Sequence, residues 1–97
     1  IANYTSDITL KDNIETLTGT LDKIDNIRGV EFDWNNNQQS YTGHDIGVIA
    51  QEIELEYPDL VVTRNNGIKA VKYEKLVAVL IEGIKELRKE IKALKNG

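Results

Sequence analysis

The last quarter of the chain carries a regular apolar repeat, which constrains the fold more than any other feature. Apolar residues recur at alternating intervals of three and four, at Val77, Leu80, Ile84, Leu87, Ile91 and Leu94. These six positions, here called the seam, have the spacing of a heptad repeat with Val or Ile at a and Leu at d. The seam predicts one long C-terminal helix with a single apolar stripe.

Two arrangements can cover the seam. An amphipathic helix can pack on its own domain, or the helix can associate with other copies of itself. We favour self-association, because residues 85–97 extend past the last predicted strand and exposed a and d positions would form a costly apolar patch. The periodicity alone suggests a dimer at least as readily as a trimer.

Composition narrows the possible functions. The chain has 97 residues, 40% of them apolar, so we expect one small domain with a modest core. It has no Cys and one His, which excludes disulfides, thiolate nucleophiles, Fe–S clusters and His-rich metal sites. A net charge of −4 argues against general nucleic-acid binding, and no apolar run approaches the ~20 residues of a membrane span. We therefore expect no metal, cofactor, nucleic acid or membrane partner.

The N-terminal part of the chain predicts a helix. Asp12 followed by Glu15 is a capping box, so the helix is expected to begin there. Its apolar stripe comprises Leu10, Ile14, Leu17, Leu21 and Ile24.

The middle of the chain predicts strands, and the whole is an α+β fold. Residues 30–34 and 46–50 each predict a strand, and residues 51–57 a short helix that Pro58 helps to stop. The runs 60–63 and 68–73 flank Asn65-Asn66-Gly67, which is a strong hairpin signal. We expect an N-terminal helix, a small antiparallel sheet with a hairpin, and the long C-terminal helix.

Ser6 and Lys11 are the candidate catalytic pair. A serine hydroxyl is a weak nucleophile until a base removes its proton, and lysine is such a base only in its neutral form, which burial favours. Five residues apart, the two side chains face opposite sides of a strand and lie about 140° apart on a helix. They meet only if the chain bends between them, or if another subunit supplies one of them.

Three other polar residues are candidates for a supporting role. His44 precedes an apolar strand, and Gln51 and Glu52 follow it. A structural or exposed His and an ordinary helix start are the simpler interpretations of these residues.

Four strings together resemble a known family. They read SDITLK at 6–11, RGVEFDW at 28–34, GVIAQE at 47–52 (with Pro58 following) and YEKLVAVLIE at 73–82. In this order they are similar to the C-terminal intramolecular chaperone auto-processing domain of phage tailspikes, tail fibres and endosialidases. Myelin regulatory factor transcription factors carry a similar domain.

The resemblance implies a function. Such a domain forms a homotrimer through a C-terminal helix bundle, aligns the upstream stalk of the same polypeptide, and then cuts itself off. It would be a self-cleaving serine endopeptidase acting in the host cytoplasm, and its stalk would end in the virion. Ser6 matches the family's nucleophile and Lys11 its base, so the scissile bond is Thr5–Ser6. Residues 1–5 would then end the fibre stalk, and residues 6–97 would form the chaperone domain.

Two other functions stay open at this point. The domain could be a trimerisation cap that never cleaves and remains attached. It could instead be a receptor-binding tip that uses the polar loop 35–43 as a contact surface.

Overall fold

This computed structural model describes residues 4–97 of the chain. These residues contain three helices and two antiparallel strand pairs. The helices are α1 (Thr20–Ile24), α2 (Ala50–Glu56) and α3 (Leu76–Asn96). The strands are β1 (Val30–Asp33), β2 (His44–Gly47), β3 (Val61–Thr63) and β4 (Lys69–Val71). Single 3-10 turns lie at Ile8–Leu10, Pro58–Leu60 and Tyr73–Lys75. The predicted α+β class is confirmed.

The strands form two separate pairs. β1 pairs with β2 so that Phe32 lies opposite Asp45, and β3 pairs with β4 so that Val62 lies opposite Ala70. The β3–β4 connection is the predicted hairpin. Its Gly67 has φ +83, a left-handed conformation that glycine adopts without strain.

The N-terminal helix is shorter than the sequence predicts. It begins at Thr20 rather than Asp12, so the capping box at Asp12 does not start a helix. The reason is backbone conformation: Asn13 has φ 54 and Gly19 has φ 67, and neither value is compatible with a right-handed helix. Of the predicted stripe, Leu10, Ile14 and Leu17 are consequently exposed.

A small core lies where α2, the strands after it and α3 meet. Ile53, Leu60 and Val79 are its buried members. α1 packs on α3 at Gly83, where a Cβ atom would overlap the Ile24 side chain. A side chain at this position would require the Ile24 terminal methyl group to move.

The seam on α3 does not pack against this core. Its six side chains are between 45% and 81% exposed. The buried residues of α3, Val79 and Gly83, lie roughly 90° around the helix from the centre of the seam. Within the described residues, no helix is both long and apolar enough to cross a bilayer. The exposed fractions of its side chains show that the seam faces solvent in a single copy.

The protein is more extended than a compact chain of the same length. The radius of gyration is 16.8 Å, compared with about 12.5 Å for a compact chain of this length. The accessible surface is 8412 Å², compared with about 5,600 Å² for a compact monomer of this mass. The excess reflects the extended shape of the chain and the apolar side chains that it leaves exposed.

Candidate functional site

A single turn of 3-10 helix brings Ser6 and Lys11 together. The turn spans Ile8–Leu10, and Lys11 closes it by donating its backbone N–H to the carbonyl of Ile8 at 3.2 Å. The side chains on either side of the turn then meet, and Lys11 Nζ donates a hydrogen bond to Ser6 Oγ at 2.7 Å. The bend that the pair requires is present within one chain, so no second subunit is needed to supply either residue.

Asp7 builds this turn. Its Oδ1 accepts hydrogen bonds from the Thr9 backbone N–H at 2.8 Å and from the Thr9 hydroxyl at 2.7 Å. These bonds, the hydroxyl first, lower the pKa of Asp7, so the carboxylate stays ionised as the cap of the turn. The sequence signal for this role is the Asp-x-Thr spacing of a local side-chain cap.

The pair is open to solvent in a single copy. Ser6 and Lys11 are both exposed, as is the whole segment from Tyr4 to Gly19. Lys11 donates in this hydrogen bond, whereas general-base catalysis requires a neutral Lys11 amine that accepts the Ser6 hydroxyl proton.

His44 lies on the polar face of the β1–β2 pair and contacts two carboxylates. Its Nδ1 is 2.9 Å from Asp33 Oδ1 and its Nε2 is 3.0 Å from Glu31 Oε1. The hydrogen bond with Asp33, followed by that with Glu31, raises the pKa of His44. Both ring nitrogens are thus engaged away from Ser6 and Lys11. Among residues 4–97, no cluster of three or more His, Asp or Glu side chains is arranged to hold a metal ion.

Glu52 holds a different part of the fold together. Its Oε1 accepts the backbone N–H of Arg28 at 3.2 Å, and its Oε2 accepts Arg28 Nε at 3.0 Å. The Arg28 guanidinium lowers the pKa of the Glu52 carboxyl through these bonds. Glu52 therefore ties α2 to the residues before β1. Gln51, its neighbour, is exposed on α2.

The Ser6–Lys11 turn and the Arg28–Glu52 pair both lie within the range that matches a known family. Residues 6–62 match the profile of the peptidase S74 family, described as the chaperone of endosialidase. The match covers more than half of the chain, so the chain belongs to this family. This confirms the resemblance drawn from the strings at 6–11, 28–34 and 47–52. The string at 73–82 lies beyond the matched residues.

Two curated proteins are similar over nearly the whole chain. Both are the long tail fiber protein Gp37, one from Enterobacteria phage K3 and one from Enterobacteria phage T2. Each is 29% identical over 100 residues, an alignment that covers 94% of this chain. The chain spans only 8% and 7% of the length of these two relatives.

Proposed function

We propose that this chain is an intramolecular chaperone that assembles a phage tail fibre as a trimer and then releases itself by cleaving the Thr5–Ser6 bond. The observation that carries the proposal is the 2.7 Å hydrogen bond between Lys11 Nζ and Ser6 Oγ. Family membership supports the chaperone role. The similarity to two long tail fibre proteins supports the fibre as the client and the virion as its destination.

The proposed reaction needs only the groups around the turn and one water. Neutral Lys11 accepts the Ser6 hydroxyl proton while Ser6 Oγ attacks the Thr5 carbonyl carbon. The C–N bond to Ser6 then breaks, Lys11 returns the proton to the departing amine, and an ester joins Thr5 to Ser6. Water hydrolyses the ester, leaving a Thr5 carboxylate and a restored Ser6 hydroxyl. Residues 1–5 are thereby separated from residues 6–97. Residues 1–3 of the proposed stalk end lie outside the described residues.

The proposed trimer forms along the seam of α3. The helix is 21 residues long, and its exposed a and d side chains give three copies a continuous surface to bury. The Val or Ile at a and Leu at d pattern by itself also suits two strands; three is what the family resemblance implies.

Assembly and cleavage are coupled in this proposal. Neighbouring copies would exclude water from the exposed Ser6–Lys11 pair, which favours the neutral amine and makes cleavage follow assembly. A chain that lacks α3 should therefore remain uncut. Cleavage of such a chain at the full rate would contradict the coupling.

Intact mass spectrometry tests the proposed cleavage. The wild-type chain should lose residues 1–5 and begin at Ser6, whereas Ser6→Ala and Lys11→Met should keep the full mass. Ser40, the chain's other serine, provides the matched control, because it lies in an exposed loop and its change to Ala should leave cleavage intact. A wild-type mass that stays unchanged after long incubation would instead support a cap that never cleaves.

The order in the loop 35–43 favours a second candidate function, a receptor-binding tip. Gln38 Oε1 accepts the backbone N–H groups of Ser40 and Tyr41 at 2.9 and 2.8 Å. The Tyr41 ring stacks on Trp34 at 4.7 Å and is still 59% exposed. A pre-ordered loop with an exposed aromatic ring is suited to contact a partner. This function predicts cell or glycan binding that disappears when the loop is replaced.

A further inference from the structure

The start of α1 lacks a capping side chain of its own. Gly19 occupies the cap position in a left-handed conformation and offers no side-chain acceptor. Thr20, the first residue of the helix, is fully buried. Its N–H cannot be satisfied by water, so an acceptor must come from elsewhere in the protein.

Glu86 of α3 supplies that acceptor. Its Oε2 accepts the backbone N–H of Thr20 at 3.2 Å, and its Oε1 accepts the backbone N–H of Leu21 at 3.1 Å. The bond from Leu21 is the main cause that lowers the pKa of Glu86, so the group stays a carboxylate. With one oxygen on each N–H, the contact fixes both the position and the orientation of the chain at this point.

The segment before α1 leads into this contact and ends beside α3. We call residues 6–18 the arm; it carries the Ser6–Lys11 pair and is exposed along its whole length. Its last residues, 16–18, line a groove of about 530 Å³ with Glu86, Lys85 and Lys89 of α3. Within the described residues the arm joins neither strand pair, and the Glu86 contact with Thr20 and Leu21 follows shortly after its last residue.

We propose that Glu86 is a positioning residue for the proposed cleavage site. It acts through the backbone of Thr20 and Leu21, and it holds the arm in a fixed place on the helix that carries the seam. The Ser6–Lys11 bond forms locally across its own turn and does not need Glu86. What Glu86 provides is the location of that pair relative to α3, and hence relative to the copies that meet along the seam.

The inference rests on the proposed function, and the test compares Glu86→Ala, Glu86→Gln and a matched control. Glu82 lies about one turn earlier on the same helix and lines the same groove, but within the described residues its carboxylate pairs with Lys85, at 3.2 Å, so Glu82→Gln is the control. Cleavage is followed by intact mass in chains made by cell-free synthesis and sampled over time. The oligomeric mass of each variant is measured alongside, so that rates are compared only among equally assembled chains.

Glu86→Ala should slow cleavage about 10- to 100-fold in assembled chains, the size expected when a reacting group is misplaced by about 1 Å. Glu86→Gln keeps the length and one acceptor oxygen, so its rate should be intermediate, and Glu82→Gln should match the wild type. A merely structural role would lower assembly or thermal stability and leave the rate in assembled chains unchanged, which would overturn the inference.

A second measurement does not require cleavage. In the Ser6→Ala background, Glu86→Ala should speed amide hydrogen exchange at Thr20 and Leu21, whereas Glu82→Gln should not. Unchanged exchange would overturn the contact itself. A wild-type chain that never cuts would overturn the proposed function and the positioning role together, and normal cutting by Glu86→Ala would overturn the positioning role alone.

Discussion

Shortening one seam side chain should weaken association between copies while leaving the single chain folded. Ile84 lies at an a position near the middle of α3 and is 68% exposed in a single copy. Burying an isoleucine side chain completely is worth about 1.5–3 kcal/mol. The exposed two thirds of Ile84 is therefore worth about 1–2 kcal/mol per copy when the seam is covered.

The predicted magnitude follows from three copies contributing at once. Ile84→Ala should weaken a trimer by about 3–6 kcal/mol, which is about 10²- to 10⁴-fold in the association constant. The fold of the single chain should persist, because Ala is the better helix former and Ile84 contributes little to the core.

Sedimentation equilibrium over a range of concentrations measures the effect. Leu55→Ala is the control, because Leu55 is 85% exposed and lies on α2 rather than on the seam. It should leave the association constant unchanged within a few-fold. Equal association by wild type and Ile84→Ala, or an equal loss in Leu55→Ala, would refute the assignment of the seam as the interface.

Three further predictions concern the core, the histidine and the orientation of the copies. Ile53→Ala should lower the free energy of unfolding by about 2–5 kcal/mol in urea titrations, because Ile53 is fully buried; a loss below 1 kcal/mol would contradict its place in the core. The pKa of His44, measured by NMR, should lie above 6.5 and should fall in Asp33→Asn. The stability contributed by the pairing of His44 with its carboxylates is therefore present below pH 6.5 and is lost as the pH rises through the raised pKa. A His44 pKa that is not raised would contradict this pairing. In a parallel assembly, Glu90 at heptad position g faces Lys95 at position e of the neighbouring copy. Glu90→Lys should therefore weaken association by about 0.2–1 kcal/mol per pair, and adding Lys95→Glu should restore it. No recovery in the double variant would argue against a parallel arrangement of the helices.

The sequence predicted the structural features that are determined by residues close to one another in the chain. The seam predicted α3, which runs from Leu76 to Asn96, because its regular period extends over most of the helix. The Asn-Gly pair predicted the β3–β4 hairpin, because a turn of this kind is specified by the turn residues themselves. The Ser6–Lys11 pairing required only a bend in the four residues between them, and the hydrogen bonds of Thr9 to Asp7 stabilise that bend.

The features that the sequence did not predict depend on long-range contacts or on competition between local preferences. The capping box at Asp12 has the right spacing for a helix start, yet the positive φ angles at Asn13 and Gly19 prevent that helix. Glu86 accepts hydrogen bonds from Leu21 and Thr20, which precede it in the chain by 65 and 66 positions. No sequence spacing rule connects residues so far apart. The Glu52–Arg28 pair spans 24 residues for the same reason.

The central claim is that cleavage follows assembly, and the dependence of cleavage on concentration tests it most directly. The chain would be made by cell-free synthesis at graded levels, with oligomeric mass from light scattering and intact mass from the same samples. Our account predicts that chains beginning at Ser6 appear in proportion to the trimer and vanish in Ser6→Ala. Equal cleavage in samples that contain only monomer would contradict it.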